Sequence, residues 1–154
     1  YTISLHADSV WDLKIHAGVL ATAGLDGTVG VFDLNDEFTD DGVADPVLRV
    51  RYLIQAHEDL VAAVDFNDSI MVTGYEDSRI SVWDISNAQI RTVLFGHNGG
   101  VTGIQLGTES IAASSSYDGT VRLWDCVRAT CLRTFEEPQH FVRCVAFMGN
   151  ILVS

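Results

Sequence analysis

The stretch Ala112-Ala-Ser-Ser-Ser-Tyr-Asp118-Gly-Thr-Val-Arg-Leu-Trp124-Asp125 decides the fold, because the chain carries it three times. The other copies are Leu20-Ala-Thr-Ala-Gly-Leu-Asp26-Gly-Thr-Val-Gly-Val-Phe32-Asp33 and Met71-Val-Thr-Gly-Tyr-Glu-Asp77-Ser-Arg-Ile-Ser-Val-Trp83-Asp84. Asp26, Asp77 and Asp118 each stand seven residues before the closing Asp of an aromatic-Asp pair. Upstream, His6, His57 and His97 precede those aspartates by 20, 20 and 21 residues. Trp83 and Trp124 are 41 residues apart, and Phe32 and Trp83 are 51 apart, so about ten extra residues separate the first two copies. A fixed period of this size is the mark of a repeat architecture.

Working outward, each copy follows a short run of alternating apolar residues, at 10–15, 61–66, 101–106 and, a fourth time, 142–147. Tight turns follow these runs (His16-Ala17-Gly18, Asn67-Asp68, Gly107-Thr108, Gly149-Asn150). Two more runs come next, as in Ile70 to Gly74 and Arg79 to Trp83. A last one, such as Ile90 to Leu94 or Cys131 to Phe135, completes the unit. Short strands at regular spacing predict an all-β chain, with no long amphipathic helix.

The His, the turn Asp and the terminal Trp-Asp in register resemble the WD-repeat family, over essentially the whole chain. The resemblance implies a β-propeller of four-stranded WD-repeat blades. It is expected to be incomplete here: one domain over 1–154, with three blades and parts of two flanking ones. The repeats run at about 6–54, 57–94, 97–135 and 138–154, the last cut off. Thr2 to Leu5 reads as the outer strand of an earlier blade. A ring of ~4–8 blades needs more chain than this, so the sequence is expected to belong to a longer one.

Ser114, His97 and Asp118 could serve as a hydrolase triad. The resemblance implies instead a structural relay, in which Asp accepts from His, a Ser or Thr hydroxyl bonds the other ring nitrogen, and the Trp indole donates to that hydroxyl. Such a set satisfies its own buried polar groups. His97, Ser114, Asp118 and Trp124 form one set, and His57, Thr73, Asp77 and Trp83 a second. His6, Thr22 and Asp26 form a third, in which Phe32 has no N–H to give. An enzyme needs one triad whereas a scaffold needs one relay per blade, so recurrence favours the scaffold. In the fourth unit Pro138 stands at the relay position, His140 is two residues out of register, and Ser154 falls on the hydroxyl position.

In this family partners dock on the narrower face, near the central channel. The resemblance places Trp11, Glu76, Tyr117, Phe141 and Arg143 on that rim. Trp, Tyr and Arg dominate interface energetics, and Arg143 could hold a carboxylate or phosphate in a two-pronged contact. For Trp11 and Phe141 the alternative is plain packing between blades. The expected partners are other proteins or peptides, phosphorylated ones included, together with the remaining blades of the same chain. The short first turns, Thr130 to Phe135 and Phe141 to Phe147 are similar to F-box and WD-repeat proteins, substrate receptors of ubiquitin ligases that bind phosphorylated degrons through propeller arginines. The other reading is a general scaffold in a signalling, trafficking or ribonucleoprotein complex.

Composition excludes several classes. A net charge of −12, from 21 acids and 9 bases, repels nucleic acid and anionic membrane surfaces on average. Cys126, Cys131 and Cys144 are an odd set without zinc spacing, so free thiols, no metal and no cofactor are expected. An intracellular protein, cytoplasmic or nuclear, follows. The insertion 35–46 carries Asp36, Glu37, Asp40, Asp41 and Asp45 and no base. It reads as a solvated acidic loop. Docking of a basic partner is the sharper alternative, and its spacing does not match an EF-hand calcium loop.

Overall fold

The computed structural model describes residues 5–38, 44–136, 141–148 and 151–153. Three four-stranded antiparallel sheets follow one another, each a meander in chain order. The first holds β1 (Val10–His16), β2 (Val19–Gly24), β3 (Thr28–Phe38) and β4 (Ala44–Gln55). The second holds β5 (Val61–Phe66), β6 (Ile70–Tyr75), β7 (Ile80–Asp84) and β8 (Gln89–Leu94). The third holds β9 (Val101–Leu106), β10 (Ile111–Ser116), β11 (Thr120–Asp125) and β12 (Thr130–Glu136). A two-stranded sheet, β13 (Ala146–Met148) with β14 (Ile151–Val153), comes last.

The sheets stack as propeller blades, with β1 packed on β5, β5 on β9 and β9 on β13. Two cores lie between them. Val19, Ala21, Val29 and Val31 of the first blade meet Val61, Val64, Phe66 and Trp83 of the second. Ile70, Val72, Ile80 and Val82 of the second meet Val101, Ile104, Ala112 and Trp124 of the third. The second blade is therefore apolar on both faces, and every residue of β6 is buried. Each fully buried Val, Ile or Leu side chain contributes about 1.5–3 kcal/mol. Outer strands β8 and β12 are largely exposed. So is the leading face of β1, with Val10, Leu13 and Ile15 at 46–63% exposure where their counterparts Val61, Val64 and Phe66 are buried.

The β1–β2 hairpin turns on Ala17 and Gly18, both at positive φ, between the paired His16 and Val19. That is the two-residue turn whose twist matches the strands. In the second blade the Asn67 side chain accepts the N–H groups of Ser69 and Ile70 and closes the turn instead.

Two expectations are corrected. The insertion 35–46 does not form a loop throughout: Asn35 to Phe38 pair in register with Val47 to Ala44, lengthening β3 and β4 into one long hairpin. Antiparallel pairing satisfies the backbone groups that a loop would leave to water, and Pro46 is tolerated because β4 is an edge strand. Residues 39–43 lie outside the described residues. The fourth inner strand is shorter than 142–147. β13 begins at Ala146, which pairs with Val153, and Val142 to Val145 stand outside it. They lie instead along the third blade, where the Val142 N–H donates to the Ser116 carbonyl. The readings of Thr2 to Ser4, Pro138, His140 and Ser154 also fall outside the described residues.

Candidate functional site

The third blade carries an unbroken line of hydrogen bonds. The Trp124 indole N–H donates to Ser114 Oγ at 2.8 Å, and Ser114 Oγ lies 2.7 Å from His97 Nε2. His97 Nδ1 lies 3.0 Å from Asp118 Oδ2. Because the ionised Asp118 can only accept, the imidazole proton sits on Nδ1 and goes to Asp118, and Nε2 accepts the Ser114 hydroxyl proton while the Ser114 oxygen accepts the indole N–H. Asp118 also accepts the Asn98 and Thr120 N–H groups and the Thr120 hydroxyl. These donors hold its carboxyl well below the usual range against the opposing effect of burial, whereas burial pulls His97 below the usual imidazole value. Ser114 has no exposed surface, so its hydroxyl is out of reach of a substrate here.

The first blade repeats the pattern without the indole. His6 Nε2 lies 2.7 Å from Thr22 Oγ1, and His6 Nδ1 lies 3.3 Å from Asp26 Oδ1 and 2.6 Å from Thr28 Oγ1. Phe32 is buried in the place of Trp. Thr28 and Thr120 were missed from the sequence, although the repeated Asp-Gly-Thr at 26–28 and 118–120 is the signal that finds them.

The second blade departs from expectation. Trp83 donates to Thr73 Oγ1 at 2.8 Å, but Thr73 donates to the Tyr75 hydroxyl at 2.7 Å and does not reach His57. His57 stacks on the Tyr75 ring, 4.5 Å between centroids. Its Nδ1 accepts the Asp59 N–H, and its Nε2 lies 2.9 Å from Asp77 Oδ2. The cause is local. Tyr75 stands where the first blade has Gly24, and a Cβ on Gly24 would come within 2.4 Å of His6 Nδ1 and Asp26 Oδ1. A tyrosine there fills the histidine's place and supplies its own hydroxyl.

The closing aspartates each hold an arginine further along the chain. Asp33 pairs with Arg51, Asp84 with Arg91 and Asp125 with Arg128. The Ser86 hydroxyl and Arg91 hold the Asp84 carboxyl at about 2.

At the edge of the blades where β5 and β9 begin, a concave cleft of about 480 Å³ gathers residues from all four units. Its lining combines the apolar Leu25, Leu60, Ala62 and Val101 with Trp11, Glu76, Thr102, Tyr117 and Arg143. Four of the five rim residues named from the sequence thus line one cleft. The fifth, Phe141, lies beside it, with its ring edge-on to Tyr117 at 5.7 Å and the Arg143 guanidinium 5.5 Å from its centroid. Trp11 and Phe141 are 61% and 52% exposed. Gly100 lets the Glu76 turn of the second blade close in, since a Cβ there would come within 2.9 Å of the Glu76 carbonyl.

Among the described residues no cluster of acids, histidines and cysteines could hold a metal, and no helix is long and apolar enough to cross a membrane. All three thiols are free, and burial pushes Cys126 up to about 12.

Stacked meander blades, each with its own His–Asp bond, define a run of WD-repeat propeller blades. The comparisons agree: the family described as "WD domain, G-beta repeat" matches residues 48–84 and 88–125, and this chain is a WD-repeat chain. It is 32% identical over 115 residues to the F-box/WD repeat-containing protein sel-10 of Caenorhabditis elegans, covering 75% of this chain and 18% of that protein. It is 38% identical over 78 residues to Mitochondrial division protein 1 of Aspergillus clavatus, covering 49% and 12%. The crystal structure of the computationally designed Ika4 protein superposes with a TM-score of 0.80 at 25% identity, over 98% of this chain and 87% of that one. The chain spans less than a fifth of the length of either natural relative.

Proposed function

We propose that these blades recognise a partner protein through the cleft bounded by Trp11, Glu76, Tyr117 and Arg143. The observation that carries the reading is that exposed aromatic and Arg side chains, distant in sequence, line one cleft together with apolar residues. Trp, Tyr and Arg anchors around a desolvated pocket supply most of the energy of protein interfaces. The whole protein is then a recognition scaffold, and within that class a substrate receptor of the F-box and WD-repeat type. The support for the finer step is the likeness to sel-10, whose name carries both modules.

Affinity capture with the intact protein, wild type beside a Trp11→Ala/Tyr117→Ala/Arg143→Ala variant, tests this reading. The variant should lose partners that the wild type holds, and ubiquitin-ligase subunits should be captured with both. A variant that keeps every partner would remove the cleft from recognition.

A second reading, a scaffold outside ubiquitin ligases, draws on the likeness to Mitochondrial division protein 1. It predicts capture of partners without ligase subunits. A hydrolase built on Ser114, His97 and Asp118 would need a buried serine to open, and the same line of bonds recurs in the first blade.

A further inference from the structure

We infer that Thr102 is a positioning residue of the cleft: its hydroxyl ties the backbone of the fourth unit to the third blade and so fixes the direction from which Arg143 and Phe141 meet a ligand. The inference rests on the partner-binding role proposed for the cleft and adds what orients its arginine.

The three four-stranded blades share a bulge near the start of the inner strand. Pairing skips Trp11 between Val10 and Asp12, Ala62 between Val61 and Ala63, and Thr102 between Val101 and Gly103. A bulged residue leaves the ladder and its side chain is re-aimed, and all three of these residues line the cleft. Trp11 and Ala62 carry no hydroxyl. Thr102 does, and its Oγ1 donates to the Val142 carbonyl. The Ser115 hydroxyl lies 3.0 Å from the same oxygen. With the Thr102 proton already given to Val142, Ser115 donates to Thr102. A chain of this kind polarises each of its bonds.

Val142 is held a second time, because its N–H donates to the Ser116 carbonyl at 3.1 Å. Its side chain is buried. Gly103 makes the close approach possible: a Cβ there would stand 3.3 Å from Cys144 Cα and 2.9 Å from Ser115 Oγ. With both backbone groups of Val142 bonded to the third blade, the residues on either side inherit their directions. Phe141 sets its ring edge-on to Tyr117, the residue after Ser116, and Arg143 lines the cleft with its guanidinium over the Phe141 ring. Removing the Thr102 hydroxyl takes the donor from the Val142 carbonyl and the acceptor from Ser115. The segment then hangs on the Ser116 bond and on packing, and the arginine must be ordered when a ligand binds, which costs affinity.

The test uses the intact protein. Without ligand, Thr102→Val keeps the shape of the side chain and should speed hydrogen exchange at the Val142 amide about three- to tenfold, the weight of one neutral hydrogen bond. Thr102→Ser should exchange as the wild type does. Thr102→Ala replaces the valine variant if that one melts early, since the second blade has Ala62 at this place. Affinity is read with the tightest peptide selected on the wild type from a displayed library of random decapeptides. Thr102→Val should weaken that peptide about three- to tenfold, again one hydrogen bond, and Thr102→Ser should restore it. In a Phe141→Ala/Arg143→Ala background Thr102→Val should change nothing, because a residue that acts through others has no effect once they are gone. A loss that persists in that background would make Thr102 a direct contact, and unchanged exchange at Val142 would mean that the segment is anchored without it. Either result overturns the inference and leaves recognition by the cleft standing. A library that yields no peptide bound better by the wild type than by the Trp11→Ala/Tyr117→Ala/Arg143→Ala variant overturns both.

Discussion

The His57 imidazole lies on the Tyr75 ring, centroids 4.5 Å apart and planes 23° from parallel, and its bonds go to Asp59 and Asp77 rather than to Thr73. His97, at the matching position, is bonded to both Ser114 and Asp118. The two histidines share a sequence position but hold different partners, and this difference sets the first prediction.

His97→Ala should destabilise by about 2–4 kcal/mol, since it leaves the buried Ser114 hydroxyl and Asp118 short of a partner. His57→Ala should cost about 1 kcal/mol, because Trp83, Thr73 and Tyr75 remain bonded to one another. Tyr75→Phe should cost about 1–2 kcal/mol by leaving the Thr73 hydroxyl without its acceptor. Urea unfolding of the three variants checks the order; equal losses at the two histidines would contradict it.

Acid should destabilise the protein in two steps. The folded value of His97 lies below its ordinary 6.5, so the unfolded chain takes the proton first and stability falls as the pH drops below about 6.5. Asp118 is depressed too, so its contribution, present above about 3.8, is lost as the pH falls further. Urea midpoints from pH 8 to pH 4 should decline, and His97→Gln should flatten the upper part of that decline. An unchanged slope in the variant would rule His97 out as its source.

Ser78 sits at φ 75°, where Gly27 and Gly119 occupy the equivalent turns at φ 77°. A side chain is strained in this left-handed region and glycine is not. Ser78→Gly should therefore stabilise by roughly 0.5–1 kcal/mol, and Gly119→Ser should destabilise by a similar amount. Thermal melting of both variants reads the opposite signs.

Asp65 is raised above the ordinary carboxylate range by burial, although it accepts the Leu106 N–H at 2.7 Å and the Phe66 N–H at 2.9 Å. A raised folded value means that ionisation weakens the native state as the pH rises through it. Asp65→Asn keeps an acceptor for Leu106 and removes the buried charge. Its melting temperature at pH 7 should exceed the wild type's, and the gap should narrow toward pH 4. A lower melting temperature at pH 7 would show that the charge is needed.

The sequence determined the repeat by itself. Paired histidines and aspartates, terminal Trp-Asp pairs and short alternating runs are local signals, and they placed β5 and β9 to the residue. The resemblance to WD-repeat proteins singled out Trp11, Glu76, Tyr117, Phe141 and Arg143, and all of these but Phe141 line one cleft. Tertiary structure decided what depends on volume and neighbours. It put Tyr75 in the place of a histidine, because the space beside the turn Asp admits a bare glycine but not a ring and an imidazole together. It drew most of the acidic insertion into a hairpin, because backbone groups bond one another across strands whatever their side chains. It laid Val142 along the third blade, because its N–H finds the Ser116 carbonyl there.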